Sequence, residues 1–349
     1  MRHRNIPIFI PHLGCPNQCV FCNQRSISGC HTFREESVGE QIERALSTVS
    51  GDDEVEIAFF GGSFTGIPRD LMLRLLDTAE AYVKEGRVSS IRLSTRPDYI
   101  NGEILQILSR YSVREIELGL QSMSDEVLLA SKRGHTARDA ERACRAVVAA
   151  GFQLTGQMMI GLPRSTRESE IATARTIAKS GAAAVRIYPT VVFYGTPLCD
   201  MAKSGDYEPL TIEEAVVRCA DVLEIFESAQ IPCIRLGLCA TEELTSDDAV
   251  YAGPNHPALG EMVLGELAYR RICALLRDEG LLGGEVLLTV PVREVSRTVG
   301  YKRANLERLY THTHTRVRVA GAPVAHMTAT RMTPSNTHTG GTYIVPEIT

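Results

Sequence analysis

Residues 6–22 read Ile-Pro-Ile-Phe-Ile-Pro-His-Leu-Gly-Cys-Pro-Asn-Gln-Cys-Val-Phe-Cys. A short apolar run, Pro7–Pro11, gives way after Gly14 to a loop holding Cys15, Cys19 and Cys22. The same pattern, an apolar or β-branched run closed by glycine or polar residues, recurs at Val55–Phe60, Ile91–Thr95, Glu115–Leu120, Phe152–Ile160 and Val185–Pro189. Stretches of helical period follow the runs, near Val38–Val49, Pro68–Val83, Gly102–Ser109, Thr136–Ala149, Thr166–Lys179 and Thr211–Ser228. Six such alternations predict an α/β fold with a parallel sheet. Pro68 suits a helix start, Thr166 and Thr211 suit N-caps, and Gly151 and Gly181 suit helix ends. Periodicity leaves open whether the sheet is an open doubly wound one or a partly closed barrel, but either places the chemistry at the C-terminal strand ends.

Composition narrows the class. The chain has 349 residues, 44% of them hydrophobic, and its 37 Lys and Arg against 42 Asp and Glu leave a net charge of −5. That balance excludes a disordered or wholly basic protein, so any nucleic-acid role must rest on a local patch. No apolar run reaches the length of a membrane span and no cleavable leader follows Met1, so the chain is expected to be cytoplasmic and unanchored. Ten cysteines in that compartment read as thiols or ligands, not as disulfides.

Three thiolates at the spacing Cys15-x3-Cys19-x2-Cys22 can converge on one soft-metal centre, because short gaps let the backbone curl around it. Structural zinc normally takes four protein ligands, and no second pair follows at zinc-ribbon spacing. Cys30 lies outside the compact loop. Three cysteines on an iron–sulfur cube, by contrast, leave one iron open. Elsewhere, Gly61-Gly62-Ser63 closes a buried strand, and absent side chains there let other backbone groups approach. Strand alternation puts Glu117, Gly119 and Gln121 on one face of Glu115–Ser122, where an interior glutamate is costly unless it meets a polar partner. Arg133 offers a guanidinium matched to a carboxylate.

The C-x3-C-x2-C loop, with Phe21 just before its last cysteine, resembles that of the radical S-adenosylmethionine (SAM) enzymes. The resemblance implies a partial (β/α)6 TIM-like barrel and a [4Fe-4S] cluster on Cys15, Cys19 and Cys22, with SAM chelating the open iron. It implies that reductive cleavage of SAM yields a 5′-deoxyadenosyl radical that abstracts hydrogen from a substrate, with electrons from a flavodoxin or ferredoxin-type donor. Phe21, Gly61, Gly62, Ser63, Glu117, Gln121 and Arg133 are the implied cofactor contacts. Within the superfamily, Phe60–Phe64, Thr95–Tyr99, Glu117–Ser122, Arg133–Thr136, Met158–Pro163 and Ile187–Thr190 are similar to the core of the Elongator catalytic subunit, a family acting on tRNA wobble uridines. That family has His where this chain has Gln157, and its acetyltransferase domain is not expected in the residues after Ala240, so its acetyl-CoA chemistry is not carried over.

The expected organisation is a core over 1–240, an α+β accessory region over 241–320 and a flexible tail over 321–349. Within the accessory region Val286–Val290, Arg293–Val299, Ala304–Tyr310 and Arg316–Val319 form a βααβ order that resembles the RNA-binding KH fold, with Gly300-Tyr301-Lys302-Arg303 at the place of its backbone-clamping loop. Seven Lys and Arg against three Glu between Glu285 and Ala320 make a local basic patch. Lys302, Arg303, Arg316 and Arg318 are its RNA-binding candidates, and alternation would add His312 and His314 to the stripe of the last strand. RNA, tRNA foremost, is the expected substrate class; a peptide or small metabolite, or a metal-containing RNA-binding module without turnover, are the alternatives.

Overall fold

A computed structural model describes residues 3–10, 13–16, 19–23, 33–50, 53–238, 249–332 and 343–344. The chain divides into two compact units, Met1–Pro257 and Ala258–Thr349. The division falls later than the expected 240/241 boundary because Val250–Ala252 pairs back onto Val192–Phe193 in the first unit.

The first unit is a parallel sheet of seven strands in sequential order: β1 (His3–Ile10), β2 (Glu54–Gly61), β3 (Ser90–Thr95), β4 (Val113–Gln121), β5 (Gln153–Ile160), β6 (Ala184–Pro189) and β8 (Cys233–Leu236). This is the partial TIM-like barrel expected, extended by one strand. The seventh strand escaped the sequence reading because Cys-Ile-Arg-Leu is short and its Ile234 is exposed. Two short helices, Asp125–Ala130 and Pro197–Ser204, were also missed. The two-stranded ribbon is β7 (Val192–Phe193) with β9 (Val250–Ala252).

Alternation gives the sheet two chemically different faces. Ile6, Ile8, Ile57, Phe59, Ile91, Leu93, Ile116, Leu118, Leu154, Val185 and Ile187 are buried and make the apolar face. Helices cover it: a side chain added at Gly156 would meet Ile177 of helix Arg167–Lys179 at 2.8 Å. Thr136, Thr166 and Thr211 each close a capping box, each satisfying otherwise orphaned helix N–H groups. The alternate residues Glu56, Arg92, Glu115, Glu117, Thr155 and Arg186 share the other face, toward which a closing barrel curls. Near the strand starts the face is sealed by ion pairs: Arg92 Nη2 lies 2.7 Å from Glu115 and 3.2 Å from Glu56, whose other oxygen accepts from Ser90 Oγ at 2.6 Å.

The second unit carries helix Leu259–Asp278 and a four-stranded sheet in the order β12-β10-β11-β13. Its strands are β10 (Gly284–Pro291), β11 (Thr315–Ala322), β12 (Thr328–Arg331) and β13 (Tyr343–Ile344). Between the parallel β10 and β11 lie the helices Val295–Val299 and Ala304–Thr313, so the βααβ order is present. Val286, Leu288, Leu309, Ile272 and Leu276 form its core. Two expectations change here. The tail beginning at 321 contributes β12, which pairs with β10, and the backbone of β13, which pairs with β11. His312 stays on the preceding helix, its ring nitrogen 2.8 Å from Tyr269 Oη, and His314 caps that helix at φ 51°, so neither joins the strand stripe. No described helix is long and apolar enough to cross a membrane.

Candidate functional site

The site forms where the strand ends meet the cysteine loop. Backbone hydrogen bonds seat the loop from both sides: Gly62 N–H to Ile10 O (2.8 Å), Ser63 N–H to Leu13 O (2.9 Å), Val20 N–H to Ser131 O (3.2 Å) and Leu198 N–H to Val20 O (2.9 Å). The contact is backbone against backbone. A Cβ at Gly62 would lie 1.9 Å from Leu13 O, and one at Gly14, whose φ is +69°, would lie 2.2 Å from Ser63 O. The glycines that sequence reading assigned to cofactor approach therefore make room for the cysteine loop itself. Gly61, at φ +111°, likewise faces the Ile10 backbone. Buried Ser63 accepts the Arg96 N–H at 2.9 Å and lies 3.0 Å from Thr95 Oγ1, tying the ends of β2 and β3 together. Phe21 packs against Val20, Val192, Leu198, Cys199 and Tyr207, an apolar wall under the loop.

Cys15, Cys19 and Cys22 form no disulfide, Cys19 being buried and the other two half-buried. Cys30 lies outside the described residues. Among the described residues no three His, Cys, Asp or Glu side chains gather closely enough for a single metal ion. Ligands to separate corners of a cube stand farther apart than ligands to one ion.

Arg133 points at the thiols. Its Nη1 donates to Cys19 Sγ at 3.2 Å and its Nη2 to Gly119 O at 2.5 Å, while its buried Nε has no hydrogen-bond partner among the described residues. Gly119 leaves the space for this: a Cβ there would stand 3.0 Å from Gln121 Nε2 and 3.4 Å from Arg133 Nη2. Gln121 is held at φ 65°, a strained setting for a non-glycine residue, and its buried Oε1 also has no hydrogen-bond partner among the described residues. A second guanidinium, Arg96, grips Asp98 at 2.9 and 2.8 Å, bonds to the Arg133 carbonyl and lies close enough to Cys15 and Cys19 to feel their charge. His135 is buried beside them; burial and Arg133 push its pKa down to about 4, so it is neutral at pH 7. Two arginines against one aspartate make this wall electropositive, suited to thiolates on an anionic centre.

Deeper on the same face, Glu117 meets Arg186. Arg186 Nε lies 2.8 Å from Glu117 Oε2 as an ion pair without hydrogen-bond alignment. Burial pushes the Glu117 carboxyl up to about 7 against the pull of Arg186 and Arg92. Arg186 also donates to Tyr188 Oη at 3.2 Å and stands 5.3 Å from the Phe60 ring centre. Arg96 and Arg186 were missed as site residues, although a charge in an otherwise apolar strand or at its end, the signal that marked Glu117, is present at both.

In the second unit Lys302 and Arg303 occupy the turn between the two helices at φ 50° and 66°, after Gly300 at 81°. Asn305 Nδ2 holds the turn by donating to Arg297 O at 3.2 Å and Thr298 O at 3.3 Å. On β11, Val317 and Val319 face the core, which leaves Arg316 exposed and Arg318 partly exposed.

Comparison with known proteins agrees with this geometry. The family model of the radical SAM superfamily matches residues 9–177, and that of the radical SAM C-terminal domain matches residues 182–269. The chain belongs to the radical SAM superfamily. It is 31% identical over 231 residues to an uncharacterised protein of Methanocaldococcus jannaschii, a match spanning 63% of this chain and 70% of that one. It is 27% identical over 223 residues to Elongator complex protein 3 of Saccharomyces cerevisiae, spanning 58% of this chain but 40% of the yeast protein. A tRNA uridine(34) acetyltransferase of M. jannaschii is 32% identical over 135 residues, 38% of this chain and 25% of that protein. The Elp3 of Methanocaldococcus infernus, solved with its N-terminus deleted, shares the fold at a TM-score of 0.59 and 21% identity, covering 80% of this chain and 63% of that structure. As a radical SAM enzyme the chain uses a [4Fe-4S] cluster and SAM. The residues fit both: three thiols outside any disulfide on one seated loop, an N–H donor on one of them, and buried atoms on Gln121 and Arg133 with no hydrogen-bond partner among the described residues.

Proposed function

We propose that this radical SAM enzyme modifies RNA, with tRNA as its substrate, in the cytoplasm, where thiol ligands stay reduced. The observation that carries the RNA reading is the similarity of the barrel unit to proteins whose names refer to tRNA uridine and to Elongator. The chain spans less than half of those proteins, so the reading concerns the radical SAM chemistry and not their whole activities. The basic turn of the βααβ unit supports it, since Lys302 and Arg303 stand where a KH fold clamps a nucleic-acid backbone, with Arg316 and Arg318 as further phosphate contacts.

Cys15, Cys19 and Cys22 hold the cluster. Gln121 Oε1 accepts from SAM and Arg133 Nε donates to its carboxylate, two of the buried polar atoms left without a hydrogen-bond partner among the described residues. Glu117 is the acceptor for its ribose, Gly61, Gly62 and Ser63 seat the cysteine loop rather than touch SAM, and Phe21 excludes water beneath the loop. When bound, the cluster supplies the electron that splits SAM into methionine and a 5′-deoxyadenosyl radical, which abstracts hydrogen from the substrate. A flavodoxin or ferredoxin-type donor supplies that electron. Meanwhile Arg133 and Arg96 keep the pocket electropositive, and neutral His135 adds no charge.

The test has two arms. Anaerobically purified protein is expected to be brown with about four irons, to lose them on Cys19→Ala, and to convert SAM to 5′-deoxyadenosine with dithionite. It is expected to bind tRNA with a steep salt dependence that flattens when Lys302, Arg303, Arg316 and Arg318 are neutralised together. Colourless protein defeats the radical reading; unchanged tRNA affinity and salt slope in the neutralised variant defeat the basic-patch assignment.

A further inference from the structure

The β7·β9 ribbon carries an aromatic pair for which the barrel chemistry has no use. Tyr194 is 43% exposed and Tyr251 38% exposed, and their rings meet edge to face with centroids 5.5 Å apart. Lys203, from helix Pro197–Ser204, places its ammonium 5.5 Å from each ring centre. Single exposed tyrosines are ordinary; two in contact, sharing one cation, form a surface that offers π-faces and a positive charge together.

The pair is held rigidly and next to the radical site. Val192 and Ala252, paired across the ribbon, pack with Val20 and Phe21 of the cysteine loop. On the neighbouring positions Val191 and Phe193 are buried, with Leu238 and Val250 packed against them. Gly253, at φ +101°, lets the ribbon close on the end of β6: a Cβ there would stand 2.9 Å from Thr190 O. Tyr194 N–H is fixed to Ala249 O at 3.1 Å. The tyrosines thus project from a strand pair that abuts the loop carrying the cluster ligands, with little freedom to lose on binding.

We infer that Tyr194 and Tyr251, with Lys203, form a stacking platform for an unpaired base of the RNA substrate, Lys203 meeting the phosphate beside it. The inference rests on the RNA reading above and adds to it where the strand lies: across the ribbon, beside the cysteine loop. The occupant follows from the chemistry. Every base has a π-face, stacking on an aromatic ring is tolerant of sequence, and an ammonium at the rim complements a phosphodiester. An enzyme that acts on a single nucleoside needs the base out of its stack, and a fixed ring near the site keeps a neighbouring base from restacking.

The experiment uses the full chain and an unmodified tRNA transcript, with affinity measured at fixed salt and without SAM turnover. The double variant Y194A/Y251A is expected to bind at least about fivefold more weakly than wild type, the low end of what one lost stacking contact costs. Y194F/Y251F keeps both rings and is expected to stay within about twofold. Y194L/Y251L keeps apolar cover without π-faces and is expected to follow the alanine pair, which separates stacking from general apolar contact. A transcript carrying 5-iodouridine in its anticodon loop is expected to photocross-link to Tyr194 or Tyr251. Wild-type affinity in the alanine or leucine pair overturns the platform while leaving the RNA reading in place. Absence of any binding of the transcript by the wild-type protein overturns the RNA reading itself, and the platform with it.

Discussion

Replacing Gly62 with alanine tests the seating of the cysteine loop directly. The added Cβ would lie 1.9 Å from Leu13 O and 2.9 Å from two further Leu13 backbone atoms, whereas real Cβ atoms keep at least 3.0 Å. The neighbour is backbone, not a flexible side chain, so β2's end and the loop must separate by about 1 Å. Cluster ligation tolerates roughly 0.2 Å in ligand distance. Two hydrogen bonds are strained at the same time, Gly62 N–H to Ile10 O and Ser63 N–H to Leu13 O, each worth about 1 kcal/mol. The barrel core lies on the other face of the sheet and is untouched. G62A is therefore expected to fold with a melting temperature within a few degrees of wild type, yet to retain iron at least about tenfold more weakly, the low end for lost support of a metal ligand. The assay is anaerobic reconstitution followed by iron and sulfide determination during titration with a chelator. G102A is the control, since a Cβ at Gly102 meets nothing within 4 Å. If G62A keeps its cluster as wild type does, the backbone-to-backbone seat is not what positions the thiols.

Three further outcomes follow from the buried charges. Arg133→Gln removes the N–H donor from Cys19 Sγ, and because such bonds favour the more reduced cluster, the midpoint potential is expected to move to more negative values in an EPR-monitored titration. An unmoved potential would show that Arg133 does not touch the bound ligand set. Glu117 carries a folded pKa near 7 against an ordinary 4.5, so the folded state holds the extra proton between those values and stability falls as pH rises through that window, by about 3 kcal/mol. E117Q is expected to lose that fall, seen as a urea midpoint difference from wild type that changes between pH 5 and pH 8; a constant difference refutes it. Arg92→Leu takes the shared guanidinium from Glu56 and Glu115, leaving Glu56 only His3 at 2.7 Å and Glu115 no other ion-pair partner among the described residues, and is expected to destabilise the barrel by about 3 kcal/mol by urea unfolding. Little change at neutral pH would mean that the two carboxylates find other partners.

Much of this architecture is legible in the chain because period and punctuation agree. The six long strands read as apolar runs closed by glycine or polar residues, Thr166 and Thr211 cap the helices that follow them, and the cysteine spacing has few structural meanings. What escaped depends on contacts distant in sequence. Cys233–Leu236 joins the sheet only because β6 offers an edge to pair with. The Gly61-Gly62 pair reads as a cofactor cradle until the Leu13 backbone is seen in the same space. Arg186 becomes a site residue through Glu117, two strands away in the sheet. His312 and His314 looked like strand positions because the helix before them runs on to Thr313, past the Tyr310 at which its apolar pattern ends.

The hydrogen bonds that tether Val20 to Ser131 and Leu198 have a consequence for biogenesis. During translation the thiol trio leaves the ribosome before either of its distant anchors, Ser131 and Leu198, is made. Until Leu198 emerges and the ribbon can close, the nascent sulfurs lack their shelter, and an oxidant or a stray metal reaches them before the barrel does. The shelter of the thiols is therefore completed only when the chain as far as Leu198 has folded around them.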